Sequence, residues 1–102
     1  MTSGTYRVRW TLGASRDLEA IGKYIARDRP AAALRVTNEI SELTDSLAQF
    51  PLSGAVYPYC PEARHVTCHN YVIFYVVERH EVSIRAIAHG ARRFRRAWLN
   101  RR

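Results

Sequence analysis

The segment from Asn70 to Arg93 restricts the folds open to this chain more than any other part of it. Its first half, Tyr71 to Val77, is apolar at every position. Because side chains alternate along a strand, a strand formed there has two apolar faces. A polar turn at residues 78–81 leads to a second β-rich run, Val82 to His89. The pattern predicts a β-hairpin whose first strand lies in the centre of a sheet.

The second strand of this hairpin carries a polar face. Strict alternation gives it an apolar face with Val82, Ile84, Ala86 and Ala88, and a mixed face with Ser83, Arg85, Ile87 and His89. Gly90 and two nearby arginines follow, so the hairpin ends in positive charge. We therefore predict a cationic site there, either catalytic or for docking, with Arg85, His89, Arg92 and Arg93.

The charge of the whole chain favours an anionic partner. The chain has 16 lysines and arginines against 9 acidic residues, a net charge of +7, and Lys23 is its one lysine. Guanidinium groups suit phosphates and carboxylates, so nucleic acid and an acidic protein are both candidate partners. The arginines concentrate near the C-terminus, where they form either a solvated tail or a contact surface.

Length and composition predict one compact domain over residues 1–102, with 47% hydrophobic residues to form its core. No apolar run approaches the roughly 20 residues of a membrane span, and Met1 to Gly13 lacks the apolar core of a signal peptide. We therefore expect a cytoplasmic protein with no membrane partner. In that reducing compartment Cys60 and Cys68 are expected to be free thiols.

Hydrophobic periodicity predicts the remaining elements. We expect a half-buried strand from Tyr6 to Leu12, a helix from Ser15 to Arg27 with Ser15 as its cap, and a second helix from Pro30 to Gln49. An irregular passage rich in proline then leads to a strand from Arg64 to Cys68.

This order of elements predicts an α+β fold: strand, helix, helix, then three strands. The antiparallel helical hairpin packs on one face of a twisted, largely antiparallel sheet. The other face of the central strand needs a cover as well. Phe94 and Trp98 lie on one side of a short basic helix that the sequence allows from Ala91 to Asn100, and this helix is able to cover it. Without it, a partner chain must do so.

Several short motifs are spread over nearly the whole chain. They are the DLExIxxYI of Asp17 to Ile25, the LxxxPxxG of Leu47 to Gly54, Arg64, the YxIxY of Tyr71 to Tyr75, and the HGxR of His89 to Arg92. In this order they resemble the RelE/ParE superfamily, the toxins of bacterial type II toxin–antitoxin systems. The resemblance implies a compact toxin neutralised by a cognate acidic antitoxin that folds onto it. It also implies operator DNA as an indirect partner, reached through the antitoxin.

The resemblance implies one of two activities. RelE-like members cleave messenger RNA in the ribosome, and ParE-like members act on DNA gyrase. In RelE-like toxins an arginine commonly follows the first tyrosine of the YxIxY strand, and a tyrosine lies in the terminal helix. This chain has Val72 and Trp98 at those positions. The resemblance is therefore closest to the ParE-like branch, and it implies a gyrase-directed toxin rather than an enzyme.

Two alternatives stay open. A RelE-like ribosome-dependent ribonuclease would use a site of histidine and arginine, formed by Arg64, Arg85, His89 and Arg92. A degenerate member would only bind its antitoxin, within a repressor complex. If the cationic region is a docking surface, its partner-binding residues are Arg85, His89, Arg92, Arg93, Phe94 and Trp98.

Neither a cofactor nor a metal is expected. The chain has no glycine-rich phosphate loop. Cys60, His65, Cys68 and His69 are metal-ligand residue types, but their spacing matches no zinc pattern. In a strand, Cys68 would also point away from both histidines.

Overall fold

A computed structural model describes residues 5–90 and 92–102 as a five-stranded sheet with two helices. The elements are β1 (Arg7–Trp10), α1 (Leu12–Ala26), α2 (Pro30–Ser46), β2 (Ala55–Tyr57), β3 (Cys60–Cys68), β4 (Tyr71–Glu78), β5 (Glu81–His89) and a terminal 3₁₀ helix (Arg96–Asn100). The strand order is β1-β5-β4-β3-β2, with β1 parallel to β5 and the other neighbours antiparallel. The predicted α+β class is confirmed. Neither helix of this described part is long and apolar enough to cross a bilayer.

Strand β4 lies in the middle of the sheet, as its apolar sequence predicts. On one face, Ile73 and Tyr75 are fully buried in a core that includes Ile40 and Leu47 of the helical layer. On the other face, Phe74 is buried in a second cluster. Both faces of the strand are therefore covered, and each face belongs to a separate core.

The C-terminal segment covers the second face. Phe94 is buried, and Trp98 and Leu99 pack against the same cluster as Phe74. Ring centroids lie 5.0 Å apart for Phe74 and Phe94, and 5.3 Å apart for Phe94 and Trp98. The predicted cover is present, but its backbone differs. The helix expected from Ala91 is a 3₁₀ helix that begins at Arg96, and Ala91 lies outside the described residues.

Several predicted boundaries are wrong for local reasons. Helix α1 begins at Leu12 rather than Ser15, because Thr11 is the N-cap and its hydroxyl accepts a hydrogen bond from the Ala14 N–H at 3.1 Å. The first strand therefore ends at Trp10, and α2 ends at Ser46. The passage predicted as irregular contains β2 and the start of β3, so four strands follow the helices. Strand β2 has only 3 residues, too few to show a periodic pattern.

A β-bulge interrupts β5 in its middle. Phe74 of β4 pairs with Ala86, but the next residue, Tyr75, pairs with Ile84. Arg85 is therefore an extra residue, and two residues of β5 oppose one of β4 at this point. Side chains beyond a bulge change faces relative to strict alternation.

The bulge overturns the predicted faces of the second half of β5. Ile87 lies in the helix-side core, whereas Ala86 and Ala88 lie in the cluster beneath the C-terminal segment. Strict alternation predicts the reverse, with Ala86 and Ala88 on the same face as Ile84 and with Ile87 on the opposite face. His89 follows Ile87 by alternation and faces the helix side, while Arg85 faces the C-terminal segment. The two residues predicted to share a face thus lie on opposite faces of the sheet.

Candidate functional site

Arg85 is buried by the bulge rather than presented to a partner. Its side chain is 9% exposed. Its Nε donates to the Ser83 hydroxyl at 2.9 Å and its Nη2 donates to Glu78 Oε1 at 3.3 Å. Its Nη1 donates to the carbonyl of Leu99. These contacts join β5 to the terminal 3₁₀ helix, so the structure gives Arg85 an internal role in place of the predicted surface role.

Asp17 binds the backbone of β5 just beyond the bulge, where β1 no longer pairs with it. Its Oδ2 accepts from the Ile87 N–H at 3.1 Å and from Arg101 Nη1 at 2.7 Å. The same Nη1 donates to the Arg85 carbonyl at 2.9 Å. The sequence alone suggests only a favourable charge near the start of α1 for Asp17. No local pattern predicts a contact with a residue 70 positions away.

Three residues of the sequence motifs, Gly54, Arg64 and Tyr75, are joined by hydrogen bonds. The Tyr75 hydroxyl donates to the Pro51 carbonyl at 2.8 Å and accepts from the Gly54 N–H at 2.9 Å. Arg64 Nη1 donates to the Gly54 carbonyl at 2.7 Å. Burial raises the pKa of the Tyr75 hydroxyl, so it stays protonated near neutral pH. Arg64, a nuclease candidate, thus holds the loop before β2.

His89 and Arg92 lie side by side at the surface. Both are exposed, and the Arg92 backbone N–H donates to the His89 carbonyl at 2.8 Å. The imidazole packs edge-to-face with the Tyr71 ring, at 5.8 Å between centroids. Asp17 and Tyr24 of α1 line the same groove on the helix side of the sheet. This groove is where two of the predicted contact residues meet.

The four nuclease candidates do not converge. Arg64 pairs with Tyr75 and His89 pairs with Tyr71, which separates them by about 13 Å along the sheet at about 3.3 Å per residue. Arg85 faces the opposite side of the sheet from His89. Proton transfer needs heavy atoms within about 3 Å of the reacting group. Of the four candidates, the structure therefore brings together only His89 and Arg92.

The positions that depart from the RelE-like pattern hold packing residues. Val72 packs against the cluster beneath the C-terminal segment. The Trp98 ring lies 5.9 Å from that of Phe74, and the Arg101 guanidinium lies 5.3 Å from the centre of the Trp98 ring. Neither Val72 nor Trp98 carries a group that exchanges protons near neutral pH. Both residues instead pack against the second core, the cluster beneath the C-terminal segment.

The remaining predicted contact residues differ in exposure. Phe94 is buried and Trp98 is half-buried, so their main contacts are internal. Arg93 is exposed, and its guanidinium lies 5.8 Å from the centre of the Tyr59 ring. Tyr59 is itself 73% exposed. The exposed residues of the predicted cationic region are therefore His89, Arg92 and Arg93, which we call the cationic surface, and Tyr59 contacts Arg93.

Comparison with protein families identifies the chain's relatives. The sequence model of one protein family, the ParE toxin of the parDE type II toxin–antitoxin system, matches residues 8–94. The chain belongs to the ParE toxin family. The matched residues include both helices and nearly the whole sheet of this ParE-family protein, and they end at Phe94, one of the buried residues of the second core.

Two curated relatives are toxins by name. Toxin RelE2 of Caulobacter vibrioides is 37% identical over 86 residues, which are 84% of this chain and 97% of that protein. Y4kP of Sinorhizobium fredii, named as a candidate toxin, is 52% identical over 48 residues. That second alignment covers 47% of this chain and 50% of the relative, so it spans half the length of Y4kP.

Solved structures share the fold of this ParE-family protein. A chain of the chromosomal ParDE toxin–antitoxin system from P. aeruginosa superposes with a TM-score of 0.75 at 27% identity, covering 85% of this chain and 98% of that one. A chain of the RelBE2 toxin–antitoxin complex from Mycobacterium tuberculosis has a TM-score of 0.61 at 20% identity, with 83% and 98% covered. The same fold thus occurs in a ParDE system and in a RelBE2 complex, so the fold alone does not identify the target of this chain.

Proposed function

We propose that this ParE-family toxin inhibits growth by acting on DNA gyrase and that an acidic antitoxin neutralises it. The observation that carries the proposal is the dispersal of the candidate catalytic groups. Arg85 is internal and Arg64 holds a loop, while His89 and Arg92 lie together at the surface. What the exposed residues form is a surface for binding.

RNA cleavage makes demands that this arrangement meets poorly. The 2′-hydroxyl needs a base, the developing negative charge needs cations, and the leaving oxygen needs an acid, all around one phosphate. His89 is able to transfer protons near neutrality, and Arg92 is able to neutralise charge. Val72 and Trp98 supply neither an additional cation nor an acid. Inhibition by binding needs no such arrangement of catalytic groups.

The purified toxin is expected to block supercoiling of relaxed plasmid by purified gyrase and to leave messenger RNA intact on translating ribosomes. Gel electrophoresis of the plasmid and primer extension on the messenger measure the two activities in parallel. Addition of the antitoxin should restore supercoiling. Codon-dependent cleavage with normal supercoiling would instead establish the RelE-like ribonuclease, the second candidate, which the 37% identity to Toxin RelE2 favours.

The antitoxin is expected to be a small acidic protein encoded by the neighbouring reading frame. The toxin carries a net charge of +7, and Arg92 and Arg93, which follow His89 closely in the chain, are exposed. Opposite charges across an interface accelerate association and select the partner. The absence of an acidic gene product that binds the toxin would contradict this part of the proposal.

Charge reversal of the cationic surface is expected to weaken antitoxin binding. The double variant Arg92→Glu, Arg93→Glu should lower the affinity by at least about tenfold, mostly at low salt, because it replaces attraction by repulsion. Isothermal titration calorimetry at two salt concentrations measures the change. The matched control is the double variant Arg29→Glu, Arg35→Glu, which changes the net charge by the same amount at two exposed positions, one at the start of α2 and one within it. Equal losses in both variants would show that net charge, not this surface, determines binding.

A further inference from the structure

A group of three metal-ligand side chains lies where α2 meets the turn between β3 and β4. Glu39 is on α2, Cys68 is the last residue of β3, and His69 begins the turn. Their carboxylate oxygen, thiol sulfur and imidazole nitrogen all lie within 4.8 Å of one another. Glu39 Oε1 and His69 Nε2 also form a hydrogen bond. Two layers of the fold thus bring their ligand atoms to one point.

The backbone at His69 explains why strand alternation does not predict this group. His69 has a φ of 56°, in the left-handed region, and lies outside β3. Its ring therefore lies on the helix side of the sheet, where Cys68 packs. The expectation that Cys68 and His69 point apart is wrong, because alternation holds only within a strand. Cys60 packs in the cluster on the other face and is not part of the group.

We propose that Glu39, Cys68 and His69 bind a zinc ion, with a water molecule as the fourth ligand. Thiolate, imidazole and carboxylate are the ligands that Zn²⁺ takes in proteins, and four-coordinate sites with three protein ligands and water are common. Mg²⁺ and Ca²⁺ prefer oxygen ligands throughout, so the thiol and imidazole favour zinc over them.

The geometry needs only a small adjustment. Zinc–ligand bonds of about 2.0 to 2.3 Å place tetrahedral ligand atoms about 3.3 to 3.7 Å apart. The side chains of Glu39 and His69 are 43% and 41% exposed, so their ligand atoms can separate from one another and approach Cys68 without repacking the core. On binding, the ion replaces the hydrogen bond between Glu39 and His69: neutral His69 carries its one proton on Nδ1 and binds through Nε2, and the thiol proton of Cys68 passes to solvent.

The bound ion would join the helical layer to the sheet. Within residues 5–90 and 92–102, the hydrogen-bonded pair of Glu39 and His69 is the one contact between an acidic and a basic side chain that joins α2 to a strand or strand turn. Metal bonds in its place stabilise the folded chain by mass action, because the unfolded chain does not hold the three ligands together. The site is separate from the cationic surface, so this inference does not depend on the proposed function.

Untagged, fully reduced protein is titrated with Zn²⁺, and with Co²⁺ as a spectroscopic substitute. We expect saturation at one ion per chain, a sulfur-to-cobalt charge-transfer band in the near ultraviolet, and a higher melting temperature with Zn²⁺. The Cys68→Ser variant should lose the band. His69→Asn and Glu39→Gln should each weaken Zn²⁺ binding by at least about tenfold, since even the loss of an outer-shell partner costs that much. Asparagine tolerates the left-handed backbone at position 69.

The matched control is Glu42→Gln, an exposed carboxylate one turn further along α2, which should leave the Zn²⁺ affinity unchanged. Circular dichroism confirms that each variant is folded. The proposal is overturned if the unmodified protein shows no saturable Zn²⁺ binding or no thiolate band with Co²⁺. It is also overturned if the three ligand variants bind Zn²⁺ as tightly as the control. The unmodified protein alone decides the result if a variant fails to fold.

Discussion

Replacing Phe94 by alanine is expected to lower the free energy of unfolding by about 3 to 5 kcal/mol, the usual loss for a buried phenylalanine. Phe94 is 9% exposed and lies between Phe74 and Trp98. Its removal opens a cavity over the central strand and loosens the segment that carries Leu99, whose carbonyl accepts from Arg85. Urea denaturation followed by circular dichroism measures the change.

The control for this prediction is Phe50→Ala. Phe50 is 62% exposed, so its replacement should change the free energy of unfolding by no more than about 0.5 kcal/mol. If Phe94→Ala were no more destabilising than Phe50→Ala, the C-terminal segment would not cover the sheet in solution. In that case a partner chain would have to cover Phe74.

Replacing Gly54 by alanine is expected to destabilise the fold by about 2 to 3 kcal/mol. A Cβ atom at this position would lie 2.5 Å from the Tyr75 hydroxyl oxygen and 2.7 Å from the His65 carbonyl oxygen. The Tyr75 hydroxyl cannot retreat without losing its hydrogen bonds to Pro51 and Gly54, and the carbonyl belongs to the β-ladder. The thermal midpoint and urea denaturation both report the loss.

Two further variants test the cause of this effect. Gly22→Ala in α1 places a Cβ 3.3 Å from the Thr37 methyl group. It should be much milder than Gly54→Ala, because alanine favours the helix by about 1 kcal/mol. Adding Tyr75→Phe to Gly54→Ala removes the clash with the hydroxyl but leaves those with the His65 carbonyl oxygen at 2.7 Å and the Cε1 ring carbon of residue 75 at 2.9 Å, so at most part of the loss should be recovered. Simple additivity of the two changes would show that they do not interact.

Much of the fold could be predicted because strong local patterns specify it. The two-sided apolar run at Tyr71 to Val77 predicts a central strand, and Phe94 and Trp98 predict the cover for its second face. Strand β2 could not be predicted, because 3 residues show no period. The start of α1 was misplaced because Thr11 and Ser15 are both able to cap a helix, and only the structure shows which hydroxyl does so.

The candidate site was less predictable than the fold. His89, Arg92 and Arg93 are exposed as a docking surface requires, but Arg85 is internal and Phe94 is core. Asp17 had no signal of its long-range role in the sequence. Strand alternation did not predict the group of Glu39, Cys68 and His69, because His69 lies in a turn and has a positive φ. Side-chain function depends on which face a residue occupies, and one irregular backbone position changes that face.

The hairpin from Tyr71 to His89 shows where the sequence suffices and where it does not. The sequence by itself determined that its first strand is central, that two layers must cover it, and that the hairpin ends in positive charge. Only the tertiary structure decided that Arg85 is an extra residue and therefore lies opposite His89. The physical reason is that hydrophobic pattern is local, whereas a bulge depends on the register between two strands, and the backbone around this one contacts residues far away in the sequence, such as Asp17 and Arg101.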